Sequence, residues 1–403
     1  MLSKWILTIP LLVFSAPLLA QKTKPLVFDH NAEVIDAQYS ADDKLIITLT
    51  ANGIVKLWEP DKGIFVRSFS YAGTTPNYCA AFSPDGNVVA VINGRGGKVW
   101  NTKFGDVICS VFGFSDNIRS VHFSHNSKWL VAASMDGTAI VYNIETGEHH
   151  HSLNHMVESL GKAGAKNGLS DARFCHGDQA IITGSGEEIK NSRPNAADPL
   201  LLLNVAKTAL YDSSVLVWDL KTGKIINKIT GYPFDVSPDG SKIVTGSANV
   251  AGQTAKVWEA STGKVIHVLS GHTGEINACE FSHDGKWILT TSDEDGFIRL
   301  WEAHTGNLHS SLESPLNVAR KARLNPHGNM IAIQSGDTTE LLESSSGKVL
   351  YGLTSHRPPV FSHNGQQIVV FNGNNAAVYN ALSGKPVLIE PDQKNKNVLK
   401  SVR

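Results

Sequence analysis

The stretch Val55-Lys56-Leu57-Trp58-Glu59, followed by Lys62-Gly63, returns with conservative changes along most of the chain. In repeat six it reads Arg299-Leu300-Trp301-Glu302, followed by Thr305-Gly306. The marker positions, held by Trp, Tyr or Leu, are residues 58, 100, 142, 218, 258, 301, 342 and 379, so they are separated by 42, 42, 76, 40, 43, 41 and 37 residues. A period of about 40 residues indicates a radial repeat, in which each unit is one small sheet that cannot bury its faces alone.

A second recurring phrase, a large apolar residue followed by a polar turn, lies upstream of the markers. Two examples are Phe82-Ser83-Pro84-Asp85-Gly86 and Phe281-Ser282-His283-Asp284-Gly285. The Asp-Gly pair is typical of tight turns, because glycine accepts a positive φ without steric cost. Apolar runs such as Trp287-Ile288-Leu289-Thr290 follow these turns and indicate half-buried strands. We therefore predict four short antiparallel strands in each unit, named a, b, c and d from the inside outward.

The order of these strands separates two ends of each sheet. The polar turn joins a to b, the marker ends c, and the Thr-Gly-Lys phrase joins c to d. Because antiparallel neighbours reverse direction, the a–b and c–d turns leave at one end of the sheet. The b–c turn and the link from d to the next a strand leave at the other end.

These repeats resemble WD40 repeats, and the resemblance covers about residues 25 to 390. It implies an all-β propeller of eight four-stranded blades, with seven blades as the alternative if the weak last repeat forms no full blade. In repeat six, His272, Ser292, Asp295 and Trp301 stand where the family places its buried, hydrogen-bonded tetrad. The other repeats depart from this pattern, so we expect most blades to depend on apolar packing without a full polar tetrad.

Two segments compete for the strand that closes the ring. Pro25-Leu26-Val27-Phe28 precedes the first a strand, where the family often supplies the outer strand of its last blade. Pro386-Val387-Leu388-Ile389 follows the last repeat and fits the same position. We favour the N-terminal strand, and closure by either segment would leave no open edge to pair with other chains.

The two ends of the chain differ from the repeats. Lys4 precedes an apolar run from Trp5 to Leu19, and Ala20 precedes polar residues, which is typical of an export signal over residues 1–20. We expect cleavage near Ala20 and a periplasmic or secreted protein, with an uncleaved N-terminal anchor as the alternative and no stable membrane span. The propeller is predicted over residues 22–392, and the basic residues 393–403 read as a disordered tail.

Charge and histidine content argue against two classes of site. The chain has 403 residues and a formal net charge of −1, so it does not resemble a nucleic-acid-binding protein. The four cysteines lack metal-ligand spacing and are expected to be free, buried thiols. His149 and His151 share one face of a strand near His155, but two imidazoles fall short of a zinc site. We therefore expect no metal and no cofactor.

Repeat four is longer than the others, and its extra residues fall in two places. One is the d-to-a link at about residues 154–171, and the other is the b-to-c connection at about residues 186–213. Both leave on the same face of the disc, and long connections on a rigid scaffold are where recognition usually occurs. We select six candidate contact residues there: Lys162, Lys166, Lys190, Arg193, Leu201 and Leu203. The alternative is that the run Leu200–Leu203 packs back on the disc.

The sequence favours a non-catalytic scaffold that binds a protein or peptide through this face. The resemblance implies the same function, since WD40-like proteins mostly act as interaction platforms, and no phosphate loop, dinucleotide fingerprint or zinc-protease helix occurs. The alternative is an enzyme or small-ligand binder that uses the central channel. That alternative requires polar side chains on several a strands, whereas segments such as Ala80-Ala81-Phe82 and Val121-His122-Phe123 predict mostly Val, Ala and Phe there. The partner and the oligomeric state are left open.

Overall fold

The computed structural model describes residues 24–72, 77–155, 168–185, 214–246, 253–314 and 322–389. These residues form eight four-stranded antiparallel sheets and one two-stranded pairing of the chain ends, and they include no helix. The chain is therefore an all-β propeller of eight blades, as predicted. Within the described ranges, no helix has the length and apolar character that crossing a membrane requires.

The first four blades follow the predicted a-b-c-d order. Blade one contains β3 (Val34–Tyr39), β4 (Ile46–Thr50), β5 (Ile54–Glu59) and β6 (Ile64–Ser70). Blade two contains β7 (Tyr78–Phe82), β8 (Val88–Asn93), β9 (Gly96–Asn101) and β10 (Val107–Val111). Blade three contains β11 (Ile118–Phe123), β12 (Trp129–Ser134), β13 (Thr138–Asn143) and β14 (His149–Asn154). Blade four contains β15 (Asp171–Cys175), β16 (Ala180–Gly184), β17 (Ser214–Asp219) and β18 (Ile225–Thr230).

The last four blades repeat this order until the ring closes. Blade five contains β19 (Phe234–Val236), β20 (Lys242–Thr245), β21 (Thr254–Glu259) and β22 (Val265–Ser270). Blade six contains β23 (Ala278–Phe281), β24 (Trp287–Ser292), β25 (Phe297–Glu302) and β26 (Leu308–Glu313). Blade seven contains β27 (Ala322–Leu324), β28 (Met330–Ser335), β29 (Thr338–Glu343) and β30 (Val349–Thr354). Blade eight contains β31 (Val360–Phe361), β32 (Gln367–Asn372), β33 (Asn375–Asn380) and the N-terminal β2 (Val27–Asp29).

Burial changes from strand to strand within a blade. The b strand β8 is buried at every position, because neighbouring sheets cover both of its faces. Such a strand needs a continuous apolar run, and Val88 to Ile92 supply it. The outer strand β22 buries only Leu269 fully, and its other residues are exposed or half-buried. The sequence therefore changes from apolar runs in the b strands to mixed residues at the rim.

The a–b turns explain the repeated Ser-x-Asp-Gly phrase. Ser83 donates its hydroxyl hydrogen to Asp85 Oδ1 (2.6 Å), and its oxygen accepts from the amide of Val88 (2.9 Å). Gly86 adopts φ +72°, a conformation that a residue with a Cβ rarely accepts. The same serine-to-aspartate bond recurs in blade six between Ser282 and Asp284 (2.6 Å).

Both chain ends take part in closing the ring. β2 pairs with residues 375–377 of β33, as the sequence favoured, and Phe28 is fully buried. The C-terminal segment contributes as well, because Leu26 donates to Val387 O (2.8 Å) and Val387 donates to Val378 O (2.9 Å). β1 (Lys24–Pro25) also pairs with β34 (Leu388–Ile389). The outer position of blade eight is thus shared by the two segments that the sequence presented as alternatives.

The blades pack on one another through shared apolar clusters. One cluster joins Phe28 and Phe371 of blade eight to Tyr39 and Trp58 of blade one. Because this cluster spans the point of closure, the first and last blades are held by packing as well as by strand pairing. The result is a closed scaffold with two opposite faces. We call the face with the a–b and c–d turns the turn face, and the face with the b–c turns and d–a links the linker face.

Candidate functional site

The two extra segments of repeat four leave the propeller at neighbouring points of the linker face. Ser170, at the end of the first segment, donates its amide and its hydroxyl to Gly184 O, each at 3.0 Å. Gly184 lies at the end of β16, directly before the second segment begins. The last described residues of the first segment and the strand end that leads into the second are therefore hydrogen-bonded to each other.

The base of the second segment is narrow. Ser185 donates its amide to Ser214 O (3.3 Å), and the next pair inward is Gly184 with Val215. The chain therefore leaves β16 and returns into β17 at adjacent positions. The six candidate contact residues, Lys162, Lys166, Lys190, Arg193, Leu201 and Leu203, lie outside the described residues.

A buried hydrogen-bonded relay supports the link before blade six. His272 lies 2.8 Å from Asp295 Oδ2 through Nδ1 and 2.8 Å from Thr290 Oγ1 through Nε2. Trp301 Nε1 donates to the same Thr290 oxygen (2.8 Å). The hydroxyl between His272 and Trp301 is therefore that of Thr290. The prediction that Ser292 holds this place in the tetrad is wrong. Ser292 lies two residues farther along β24, on the same side of the strand, and its oxygen accepts only a 3.4 Å bond from the Asp295 amide.

Blades one and four contain the same His–Thr–Trp relay, which the sequence analysis missed. His30 Nε2 lies 2.7 Å from Thr48 Oγ1, to which Trp58 Nε1 donates (2.9 Å). His155 Nδ1 lies 2.8 Å from Thr183 Oγ1, to which Trp218 Nε1 donates (2.8 Å). The sequence contains a pattern that could have predicted the relay of blade one: Thr48 follows His30 by 18 residues, just as Thr290 follows His272 by 18 residues.

These relays fix the d–a links, and burial favours the neutral form of His30 and His272. Burial lowers the pKa of His272, although the hydrogen bond with Asp295 opposes that effect. Burial also lowers the pKa of His30 to about 4, with a further contribution from the charge of Lys56. A neutral imidazole donates through one nitrogen and accepts through the other, which suits a position between two hydrogen-bond partners. The links at these blades are thus anchored rigidly to the sheets below them.

The histidines on the outer strand of blade three make separate contacts. His149 Nε2 lies 2.9 Å from Ser152 Oγ, and His151 Nε2 lies 3.3 Å from Lys221 O of blade four. His150 packs on Trp129, with ring centroids 4.7 Å apart. His155 belongs to the relay of blade four. Among the described residues, no group of three or more His, Cys, Asp or Glu side chains is arranged to hold a metal ion.

The inner strands are more polar than the sequence analysis expected. The residue directly before the large apolar residue that starts each a–b turn phrase forms a belt, which we call the channel belt: Gln38, Ala81, His122, Arg173, Asp235, Glu280, Arg323 and Val360. The expectation of mostly Val, Ala and Phe is wrong, because alternate residues of a strand point to opposite sides. The apolar residues pack between blades, while their neighbours point towards the channel.

Ion pairs connect neighbouring members of the channel belt. Arg173 contacts Asp171 Oδ2 through Nε (2.7 Å) and also pairs with Asp235 of the next blade. His122 Nε2 lies 3.0 Å from Asp171 Oδ1. Burial would raise the pKa of Asp171, but the charges of Arg173 and His122 hold it well below its usual range. This part of the belt is therefore locked as an ion-pair network.

Two carboxylates of the channel are less well compensated. Burial raises the pKa of Glu280 to about 7, and Arg323, whose Nη1 is 3.9 Å from Glu280 Oε2, opposes this only in part. Asp36 lies in the a strand β3, two residues before Gln38, and is exposed to solvent. The protein around it nevertheless desolvates the carboxylate and raises the pKa of Asp36 to about 6. Both groups would be stabilised in their charged form by an added cation.

Comparison with known proteins finds similarity to WD40 repeats in two parts of the chain and a shared fold with solved propellers. The family model "WD domain, G-beta repeat" matches residues 105–143 and 263–302. The computationally designed Ika8 protein has a TM-score of 0.63 at 19% identity, covering 87% of this chain and 97% of its own. The C-terminal WD40 domain of Sif2 also has a TM-score of 0.63, at 15% identity, covering 92% of this chain and 99% of its own. At these identities, the likeness shows the fold alone.

Curated relatives share parts of the repeat array. A U3 small nucleolar RNA-associated protein 21 homolog of Schizosaccharomyces pombe is 25% identical over 29% of this chain and 12% of its own length. A WD repeat-containing protein 26 homolog of Arabidopsis thaliana is 21% identical over 69% of this chain and 42% of its own. A guanine nucleotide-binding protein subunit beta of Oryza sativa subsp. japonica is 27% identical over 50% of this chain and 60% of its own. The chain thus spans less than two thirds of the length of each.

Proposed function

We propose that this chain, a β-propeller with WD40 repeats, is a non-catalytic scaffold that binds a protein or peptide through its linker face. The observation that supports the proposal is the pair of bonds from Ser170 to Gly184 O, which join the last described residues of the first extra segment to the strand end where the second begins. Long connections on a rigid frame are the usual location of recognition residues. The closed ring and the buried relays provide such a frame.

The extra segments also have suitable composition for a contact surface. The first contains Lys162 and Lys166, and the second contains Lys190, Arg193 and the leucines at 201 and 203. Arginine is enriched at protein interfaces, and a run of leucines in a surface connection must either pack on its own protein or be covered by a partner. One relative is named as a subunit, and proteins of this repeat type mediate protein interactions.

Removing residues 187–212 tests the proposal. Because Ser185 and Ser214 are already joined at the base, a short glycine-serine turn can connect β16 to β17 without displacing either strand. The variant should unfold at nearly the wild-type temperature and lose capture of the partner that the wild-type protein retains. A control with Lys103→Glu and Phe104→Ala on the turn face should still capture it. Unchanged capture by the deletion variant would contradict the proposed site.

We further propose that the protein is exported and that residues 1–20 are removed. The support is the charged start at Lys4, the apolar run that follows and the change to polar residues after Ala20. Mass measurement of the protein purified from its native cell should give an N-terminus at Gln21. An intact leader in a cytoplasmic fraction would contradict export.

A second candidate function follows from the channel belt. Among the described residues, the buried Glu280 Oε2 has no hydrogen-bond partner, and Arg323 Nη1 is 3.9 Å away, so the channel offers a carboxylate to a small ligand that carries an amino group. Titration with the diamine putrescine should show binding that Glu280→Gln weakens. This candidate is less favoured, because Arg173 already pairs with Asp171 and Asp235. Absence of heat change at millimolar putrescine would dismiss it.

A further inference from the structure

The d–a link between blades two and three presents an exposed aromatic side chain on the linker face. Phe112, directly after β10, is 63% exposed although its backbone is fixed. Its amide donates to Tyr142 Oη (3.1 Å), and Tyr142 Oη donates to Phe112 O (2.5 Å). Met135, in the adjacent b–c turn, is 37% exposed, and its amide donates to Asn117 O of the same link (2.9 Å). Two apolar side chains are thus held towards solvent by a rigid backbone.

Two exposed arginines lie on the same face, one at the start of β11 and one in the b–c turn of blade two. Arg119 is the extra residue of a bulge in β11, because Ile118 pairs with Ser134 and Ser120 pairs with Ala133. A bulge redirects a side chain out of the regular alternation, and Arg119 is exposed. Arg95 is exposed in the b–c turn of blade two, where the neighbouring Gly94 O accepts from the amide of Ile118 (2.8 Å).

Neither arginine is neutralised by a carboxylate among the described residues. Asp136 is buried, and its oxygens already accept from the Ser115 amide (2.6 Å) and from the amide and hydroxyl of Thr138 (2.9 and 2.5 Å). Asp116 is half-buried and accepts from the amide of Asn117 (2.7 Å). No ion pair is formed by Arg95 or Arg119 within the described ranges. Their charge is available to a ligand.

We propose that Phe112, Met135, Arg95 and Arg119, which we call the blade-three patch, bind an acidic peptide segment of a partner protein that also inserts an apolar side chain. This inference rests on the proposed function and specifies its partner chemistry. The patch extends from the b–c turn of blade two, which carries Arg95, across the d–a link with Phe112 to blade three, which carries Arg119 and Met135. Aromatic, methionine and arginine side chains are also the residues enriched at the centres of interfaces.

Charge favours an acidic peptide over a nucleic acid. The same face carries the exposed carboxylates of Glu275 and Glu294 next to blade six, which would repel a long polyanion. The whole chain has a formal net charge of −1. A short acidic segment can occupy the two arginines without approaching those carboxylates. Its attraction to the exposed arginines should weaken as salt increases, because the Debye length shortens.

Selection from a displayed library of random twelve-residue peptides tests the proposal on the intact chain. Peptides enriched on the wild-type protein should contain acidic residues next to an aromatic or aliphatic residue, and fluorescence anisotropy should measure their affinity. Arg95→Glu with Arg119→Glu should weaken binding by about tenfold or more, and Phe112→Ala by a similar factor. Thermal unfolding of each variant verifies that the ring remains folded.

The turn face offers a matched control. Phe104 is also 63% exposed and follows an exposed lysine, Lys103. Phe104→Ala with Lys103→Glu should leave peptide affinity within about twofold of wild type, since neither residue lies on the linker face.

The possible outcomes separate this inference from the proposed function. Acidic peptides that bind the patch variants as tightly as wild type, but not the variant lacking residues 187–212, would overturn the blade-three patch and retain the linker face. Enriched peptides that are neutral or basic, or a single-stranded oligonucleotide that displaces them from the patch, would overturn the acidic-peptide assignment. Peptides affected only by the turn-face control would overturn both proposals.

Discussion

At the scale of single residues, the hydroxyl of Thr290 joins the buried side chains of His272 and Trp301 in the relay of blade six. Replacing Thr290 with valine keeps the shape of the side chain but leaves Trp301 Nε1 and His272 Nε2 without their shared oxygen. A buried polar group that loses its partner costs about 1–3 kcal/mol, so Thr290→Val should reduce the free energy of unfolding by about that amount. Urea unfolding measures the loss.

Ser292→Ala is the matched control for this prediction. Ser292 is fully buried in the same strand, but its hydroxyl oxygen accepts only the 3.4 Å bond from Asp295. Its removal should therefore change stability less than the loss of Thr290. A larger loss from Ser292→Ala than from Thr290→Val would show that the relay has been assigned to the wrong hydroxyl.

The neutral state of His30 predicts how stability depends on pH. Its pKa is lowered to about 4 by burial and by Lys56, whereas the value in an unfolded chain is about 6.5. Between these values the unfolded state binds more protons, so stability falls as the pH falls through this window and is retained above it. Between about pH 7 and about pH 5, the melting temperature of the His30→Gln variant should therefore fall less than that of the wild-type protein. The exposed His149→Gln should follow the wild-type curve, and a His30 variant that did so as well would contradict the assignment.

At the scale of elements, the closing strand β2 holds blade eight through Phe28. Phe28 is fully buried and its ring centroid lies 4.9 Å from that of Trp58 in blade one. Phe28→Ala should therefore destabilise the protein by about 3–5 kcal/mol, as large-to-small changes of buried aromatics do. Val27→Ala, at a position that is 38% exposed in the same strand, should cost much less. Equal losses in chemical denaturation would indicate that β2 does not seal the ring.

The elements differ in how far the sequence predicts them. The Trp markers and the Ser-x-Asp-Gly turns repeat at fixed spacing, so the eight blades, the strand order and the two faces follow from the pattern. The identity of the relay hydroxyl does not, because Thr290 and Ser292 lie on the same side of β24 and only coordinates distinguish them. The channel belt was missed for a related reason. Residues such as Arg173 and Glu280 alternate with the apolar residues that dominate the pattern of the a strands.

The blade-three patch shows another limit of the sequence. Phe112 reads as one more apolar residue at the end of a strand, and Arg119 reads as a residue within the next strand. Their exposure depends on the bond between Phe112 and Tyr142 and on the bulge at Arg119, both of which arise from contacts between segments. Length of a connection is visible in a sequence, whereas the direction of a side chain at a bulge is not.

At the scale of the whole molecule, the closed ring separates folding from recognition. Strand pairing, shared apolar clusters and buried relays stabilise the disc, while the links on one face remain available for contacts. Substitutions on the linker face should therefore change binding with little effect on the melting temperature. Substitutions such as Phe28→Ala should do the reverse when binding is measured below the melting transition. Variants that lose both properties together would contradict this separation.

Hydrogen exchange of the intact protein, with and without its bound protein or peptide, tests the central claim that recognition belongs to the linker face. The account predicts slower exchange on binding at residues 112–119, 134–137 and 168–170, with no change at the turn-face residues 83–87 and 101–106. Protection confined to those turns, or to the a strands alone, would contradict it.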